Sequence, residues 1–532
     1  MSYTIKGKEK IQIFLPKIIK NYKDILSPDS LIEEKDLCVS FGTENFTTFK
    51  KKGSYVVLDF GKEYHGGVRI ITRESEKLSK FRITFGESLS EAYSKIGEKN
   101  ATNDHSTRDF TVDIPFMSDM QFGSTGFRFV KIELLSQKPV LIQSICAVSK
   151  TTIFPNEIRI KTNDSKLNKI LDTAKYTLSL NIQNGYLWDG IKRDRLVWCG
   201  DLHQEILTAL YCYGNIENIP DSLDFLRKST PVDNWMNGIP TYSAWWVINL
   251  CDYCSISGDK EFFDNNKDYA VSILNRINDH IDNEGNIEFA KTSGVPFFLD
   301  WPTYETEDAE IGTAALLIWA AKKYKKFENF TVCNDIVNKL QKYLSIDCKT
   351  KQVKAFQVIA GAEKTQTIAN FLQKNGASGF STFMTYYILS AYFECGGKNS
   401  LDLIKEYFGG MLSRGATTFW EDFDICWLKD SGRIDELPQK GQKDIHGDFG
   451  RFCYEGFRHS LCHGWSSGVF SFFIEKIVGL KLIDGFNKIS VTPNLSGLKH
   501  IRVTLPTPYG KLSIDAKEND VKVKCPKGIL QI

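Results

Sequence analysis

Within thirteen residues, DGIKRDRLVWCGD (189–201) gathers three aspartates, three basic residues and one tryptophan. Asp189, Arg193, Asp194, Arg195, Trp198 and Asp201 are too charged for a core helix and too dense for a linker. Taken alone, the stretch has a bland account. Asp201 would cap the helix LHQEILTALYCYG, with Gln204 as its capping-box partner. Asp189, Arg193 and Asp194 would be a solvated ion cluster worth under about 1 kcal/mol. Val197 and Trp198 weaken that account, because they set the charges beside an aromatic core rather than on a water-facing surface.

Similar mixtures recur at the ends of later helical segments: DNWMNGIPTYSAWW (233–246), FFLDWPTYETED (297–308) and TTFWEDFD (417–424). A concave site rich in Trp, Asp, Glu and Arg suits a carbohydrate, since aromatic faces cover the sugar's C–H face and charged groups bind vicinal hydroxyls. The matching reaction is glycoside cleavage, which needs one carboxylic acid to protonate the leaving oxygen and one carboxylate to activate water or attack. Asp194, and Glu421 beside Trp420, are the candidate pair. Arginines touching Asp194 would hold it ionised, which is wrong for an acid. Arg193 and Arg195 are therefore expected to turn towards Asp189 and Asp201.

Other chemistries find less support. Asp444, His446 and Asp448 in DIHGDFG have a spacing that could hold a cation, but a loop over the pocket mouth is the favoured role. His203 and His459 read as surface or packing residues, and Phe470, Phe472 and Phe473 as a packing stripe. No nucleophile elbow, phosphate loop or dinucleotide fingerprint stands in the right context. Thirteen cysteines are scattered along the chain; the CDYC pair Cys251 and Cys254 lies in an apolar helical run and reads as core thiols of a reduced, intracellular protein.

The elements that must position these residues come in three blocks. From about 54 to 150, segments such as SYVVLDFG, VRIITRES and FRFVKIELL alternate with period two, as in an antiparallel β-sandwich. From about 165 to 477 the period becomes helical, with close to a dozen segments, many ending in Gly. That number fits a closed ring of helical hairpins, an (α/α)6 toroid; an α-solenoid would show a fixed repeat, and none is seen. From about 485 short alternating strands return. The expected fold is multidomain: an N-terminal β-sandwich (1–160), an (α/α)6 toroid (161–480) and a small C-terminal β-domain (481–532).

Composition agrees. The 532 residues are 42% hydrophobic and 25% charged, with a net charge of +2. That is ample for a large core and argues against nucleic acid or an anionic membrane as partner. The N-terminus shows no signal-peptide pattern and no long apolar span appears, so a cytoplasmic setting is expected.

The stretch 189–201 also resembles the signature of the α-L-rhamnosidase family of glycoside hydrolases, roughly D-C-P-x-R-E-R-x-G-W-x-G-D. Asp189, Arg193, Arg195, Trp198, Gly200 and Asp201 match at the same spacing. GATTFWE (415–421) and SLCH (460–463) resemble later family blocks, and YVVLDFGKEYHGGVRI and ISVTPNLSGLKHIRVTLPTPYGKLSI resemble its flanking β-domains. The resemblance implies an exo-acting, inverting hydrolase that releases α-L-rhamnose or a similar sugar from small rhamnosides or oligosaccharides. It places the general acid at Asp194 and the base at Glu421. Asp189, Arg193 and Asp201 would hold sugar hydroxyls or orient the acid. Trp198, Trp301, Trp420 and His463 would line the pocket, joined by Trp245 or Trp246, with Trp246 taken as the candidate. No cofactor, metal, nucleic acid or membrane is implied, and a homodimer is left open.

Three departures bear on substrate more than fold: Asp194 stands for Glu, Gly190-Ile191 for Cys-Pro and Val197 for Gly. The rivals are a hydrolase for another α-linked sugar or an unsaturated uronyl end, a decayed sugar-binding protein, and a lyase.

Overall fold

A computed structural model describes residues 4–39, 45–73 and 77–532. The end of the VRIITRES segment, residues 74 and 75, lies outside the described residues.

The N-terminal block is a nine-stranded antiparallel sheet folded on itself around Phe60, Phe81, Phe85, Phe127 and Ile132. Its spine is the strand Tyr55–Thr72, which pairs with Asp119–Leu134 along its whole length and with Val140–Ile153 from Gly66 onward. Register breaks between Asp59 and Tyr64 bend it, so one strand serves both layers. The strands Lys8–Phe14 and Ile18–Lys23 add to this sheet.

The helical block closes on itself. The helices Leu202–Tyr213, Pro240–Ser257, Ala309–Lys325, Lys351–Ala360 and Thr385–Glu394, and the turn of helix from Val469 that runs on to Ile477, each pack on the next, and the last packs on the first. Their sequences follow from that place: Leu202–Tyr213 is buried at every position, as a helix surrounded on all sides must be. The outer helices Lys260–Asp279 and Thr331–Leu340 are amphipathic and bury one face. The (α/α)6 toroid expected from the helix count is what the chain forms. Cys251 and Cys254 are buried free thiols in its inner ring, and the described cysteines are all unbridged.

The C-terminal block has a four-stranded sheet and a three-stranded one. The strand Arg159–Thr162, which precedes the toroid and straddles the expected boundary at 160, joins the four-stranded sheet beside His500–Thr507. Among the described residues no helix is long and apolar enough to cross a membrane.

Candidate active site

The stretch 189–201 is an irregular loop leading into the inner helix Leu202–Tyr213. Asp189 closes it: its backbone N–H donates to the Leu196 carbonyl (2.9 Å) and its Oδ1 accepts from the Leu196 N–H (2.8 Å). Between these ties the chain turns sharply, with Asp194 and Arg195 both in the left-handed region at φ 55° and 58°. Two successive non-glycine residues there store strain of order 1–3 kcal/mol each. The loop's base is held to the far end of the ring, where the Gly464 N–H donates to the Asp189 carbonyl (2.7 Å). Asp201 is helical and makes no side-chain cap, while Gln204 donates to the Phe383 carbonyl. The capping-box reading therefore does not hold; the Asp201 carboxylate instead lines the pocket, where its Oδ1 accepts from the Tyr242 hydroxyl (3.4 Å).

One cavity is lined by Asp189, Arg193, Asp194, Asp201, Glu421 and His463. The Arg193 Nη1 donates to Asp194 Oδ1 (2.9 Å), and Nη2 of the same guanidinium pairs with Glu421 Oε1. This corrects the expectation that the arginines turn away from Asp194. Only Arg195 does so, reaching the Ser124 carbonyl (3.1 Å) and lying over the Trp188 ring. Asp194 Oδ2 also accepts from Trp198 Nε1 (3.2 Å), and His105 Nδ1, on a loop of the sandwich, lies 3.2 Å from its Oδ1. Glu421 Oε2 accepts from the Ser460 N–H (3.1 Å), and its own backbone N–H donates to the Ser460 carbonyl (2.9 Å). His463 Nε2 sits 3.6 Å from Glu421, 3.7 Å from Asp189 and 3.9 Å from Asp201.

The electrostatics divide the carboxyls. Burial alone would raise Glu421, but Arg193, then His463 and His459, outweigh it and hold the carboxyl at about 2. Asp201 is pushed well above the usual range by burial and by the charges of Asp189 and Glu421, with only His463 opposing. Asp189 is raised by burial. Burial would lower His463, yet its bond to Asp189 and the charges of Glu421 and Asp201 raise it instead. The site thus sets the ionised Glu421 carboxylate beside a guanidinium and an imidazole whose proton affinity is raised, next to two buried acids, Asp189 and Asp201, shifted above their usual range.

Trp198 and Trp301 line this cavity as expected. Trp246 does not: its ring packs on Tyr269 and its Nε1 donates to the Leu223 carbonyl (3.1 Å), on the side of its helix facing the outer layer. Trp245 is likewise core, against Trp319 and Tyr387. Trp420 does not line the cavity either: its ring packs on Phe423. The aromatic wall instead includes Tyr242, Phe298, Tyr454 and Trp465. The first two lie in segments whose aromatic content was already evident, and Trp465 stands two residues after His463.

His446 is buried, with Nδ1 2.8 Å from Ser88 Oγ and Nε2 2.9 Å from the His459 carbonyl. His203 and His459 are buried packing residues, the former between Tyr387 and Asp252. Among the described residues, one group could share a metal ion, Glu87, Glu91 and His446, and the ammonium of Lys192 already lies between its two carboxylates.

Comparison with known proteins adds the lineage. Residues 156–395 match the model of the bacterial alpha-L-rhamnosidase 6 hairpin glycosidase domain, and residues 49–150 that of the bacterial alpha-L-rhamnosidase concanavalin-like domain. Glu421 and His463 lie beyond both matches. A search of curated proteins by sequence gave no significant match. Among solved structures, a family 78 rhamnosidase of Bacillus sp. GL1 superposes with a TM-score of 0.74 at 16% identity, over 95% of this chain and 55% of the other. A rhamnosidase from Klebsiella oxytoca with rhamnose bound gives 0.67 at 19%, over 88% and 96%. The α-L-rhamnosidase of Streptomyces avermitilis complexed with L-rhamnose gives 0.69 at 15%, over 99% and 50%. The chain therefore spans about half of two of these relatives and nearly all of the third, and at such identities the likeness is one of fold. With both domain models matched in order and the toroid closed around the 189–201 loop, the chain belongs to the bacterial α-L-rhamnosidase family of six-hairpin glycosidases.

Proposed function

We propose that the protein is an exo-acting hydrolase that removes terminal α-L-rhamnose, or a closely similar neutral sugar, from small rhamnosides or oligosaccharides with inversion. The observation that carries this reading is the single guanidinium of Arg193 holding Asp194 and Glu421 on one pocket. Glu421, titrating at about 2, is ionised at any physiological pH and suits the abstraction of a proton from water. Asp194, more exposed and set beside Trp198, suits protonation of the departing oxygen. The Arg193 guanidinium bridges the two carboxyls; inversion requires a gap of roughly 6.5–9.5 Å that admits a water, whereas retaining enzymes hold theirs about 5–5.5 Å apart. Asp189, Asp201 and His463 would bind hydroxyls, while Trp198 and Trp301 would cover the sugar's apolar face.

A second reading, sugar binding without turnover, draws on Asp194 itself. Its two oxygens already accept from Arg193 and Trp198, so a departing oxygen would have to displace one of these partners. Following an aryl α-L-rhamnoside by proton NMR separates the readings. The β-anomer of rhamnose appearing first is expected. The α-anomer first would mean retention, and binding without release would bring the second reading forward.

A further inference from the structure

Lys192 occupies the open position of the family pattern, between Ile191 and Arg193, and its side chain leaves the pocket altogether. It is buried where the sandwich meets the toroid. Its Nζ lies 2.9 Å from Glu87 Oε2 and 3.3 Å from Glu91 Oε1, both on the sandwich. It also donates to the carbonyls of Phe457 (3.0 Å) and His459 (2.5 Å) near the end of the ring. Burial would lower the ammonium, but the two carboxylates outweigh it and keep it charged. The same three segments are cross-tied around it. Glu87 accepts from the Leu461 N–H (2.6 Å) and the Ser460 hydroxyl (3.3 Å). The Ser106 hydroxyl of the sandwich donates to the Lys192 carbonyl (2.5 Å).

These ties end on the two proposed catalytic carboxyls. Ser460, held by Glu87, donates its N–H to Glu421. Arg193, next in chain to Lys192, holds both Asp194 and Glu421. We propose that Lys192 is a positioning residue, an ammonium that locks the acid-bearing loop and the base-bearing backbone to Glu87 and Glu91, making the β-sandwich part of the catalytic apparatus. The inference rests on the assignment of Asp194 and Glu421 as acid and base. It also gives Glu87 and Glu91 a cation without any metal.

Because removing the ammonium alone leaves two buried carboxylates facing each other, the test uses the full-length, charge-balanced variant Lys192→Met with Glu87→Gln and Glu91→Gln. Misplacing reacting groups by about 1 Å costs of order 100-fold in rate. The expected result is a folded protein that binds L-rhamnose about as wild type does, with kcat on an aryl α-L-rhamnoside lowered about 100-fold. A folded variant with kcat within about threefold of wild type overturns the proposal, since Lys192 would then only neutralise its neighbours. If the triple variant does not fold, Glu87→Gln alone reads the same link: a fall of about tenfold in kcat at unchanged KM supports it, and an unchanged kcat overturns it. A crystal structure of whichever variant folds is independent of turnover. Loss or displacement of the Arg193–Glu421 pair supports the proposal, and an undisturbed pair sinks it even if wild type releases no sugar, which would be a failure of the functional reading instead.

Discussion

Arg193 and Glu421 form an ion pair in which the two side chains are 5% and 3% exposed, and the other η-nitrogen of the same guanidinium holds Asp194. The proposed acid and base are therefore not independent groups. Each is set by an arginine whose own charge is satisfied by both.

Glu421→Gln keeps the shape and the Ser460 N–H contact but removes the charge. If Glu421 activates water, kcat falls by at least about a thousandfold while L-rhamnose affinity changes little. Steady-state kinetics and isothermal titration on the same preparation check this; a Gln variant with substantial turnover would remove Glu421 from its role.

Asp194→Asn tests the acid through the leaving group. Nitrophenyl rhamnosides depart without much help, whereas alkyl or sugar leaving groups need a proton. The loss in kcat/KM should therefore be about tenfold or less for the former and of order a thousandfold or more for the latter. Equal losses on both would point to a binding role.

Arg193→Met tests what sets the ionisation of Glu421. In wild type the carboxyl titrates at about 2, so its deprotonation does not limit activity above roughly pH 3. Without the guanidinium, burial again dominates and the carboxyl titrates higher. The acidic limb of kcat/KM should move up into the measurable range, alongside a drop at neutral pH of order 100-fold or more. An acidic limb that stays put would assign the depression to His463 and His459 alone.

Asp201→Asn should make the protein more stable and less active. The folded-state pKa of Asp201 is raised above its unfolded value by burial, so its charge opposes folding once pH exceeds the unfolded value of about 3.9. The melting temperature of the Asn variant should exceed that of wild type at pH 7, and the gap should shrink as pH falls towards about 4. Affinity for L-rhamnose should fall. A wild type that melts higher at every pH would mean that His463 compensates the charge fully.

Much of the fold was legible because it rests on periodicity. The change from period two to 3.6 near residue 160 and back near 485 follows burial on one sheet face or one helix stripe, and a dozen helices without a fixed repeat leave few closed arrangements. The membership of the site was legible where a residue had to sit in the 189–201 loop or beside it in family order, as with Asp189, Asp201, Glu421 and His463. What could not be read was direction. Whether Arg193 faces Asp194 depends on the left-handed turn at Asp194 and Arg195, which no residue type there demands. Trp245 and Trp246 are neighbours on an inner helix, and both face packed helices rather than the pocket. His105 and Lys192 act across the contact between two blocks of chain, and local pattern says nothing of such contacts.

The closure of the helical ring by its last member, Val469–Ile477 against Leu202–Tyr213, has a consequence for synthesis. A chain emerging from the ribosome carries Asp194 more than two hundred residues before Glu421 and His463 exist. Until the final helix arrives, the inner face of Leu202–Tyr213 has no neighbour on one side, and the strand Arg159–Thr162 waits longer still for His500–Thr507. The ring therefore closes only after residue 477 has emerged, and a ribosome-stalled chain ending before about residue 460 should expose apolar surface that chaperones recognise.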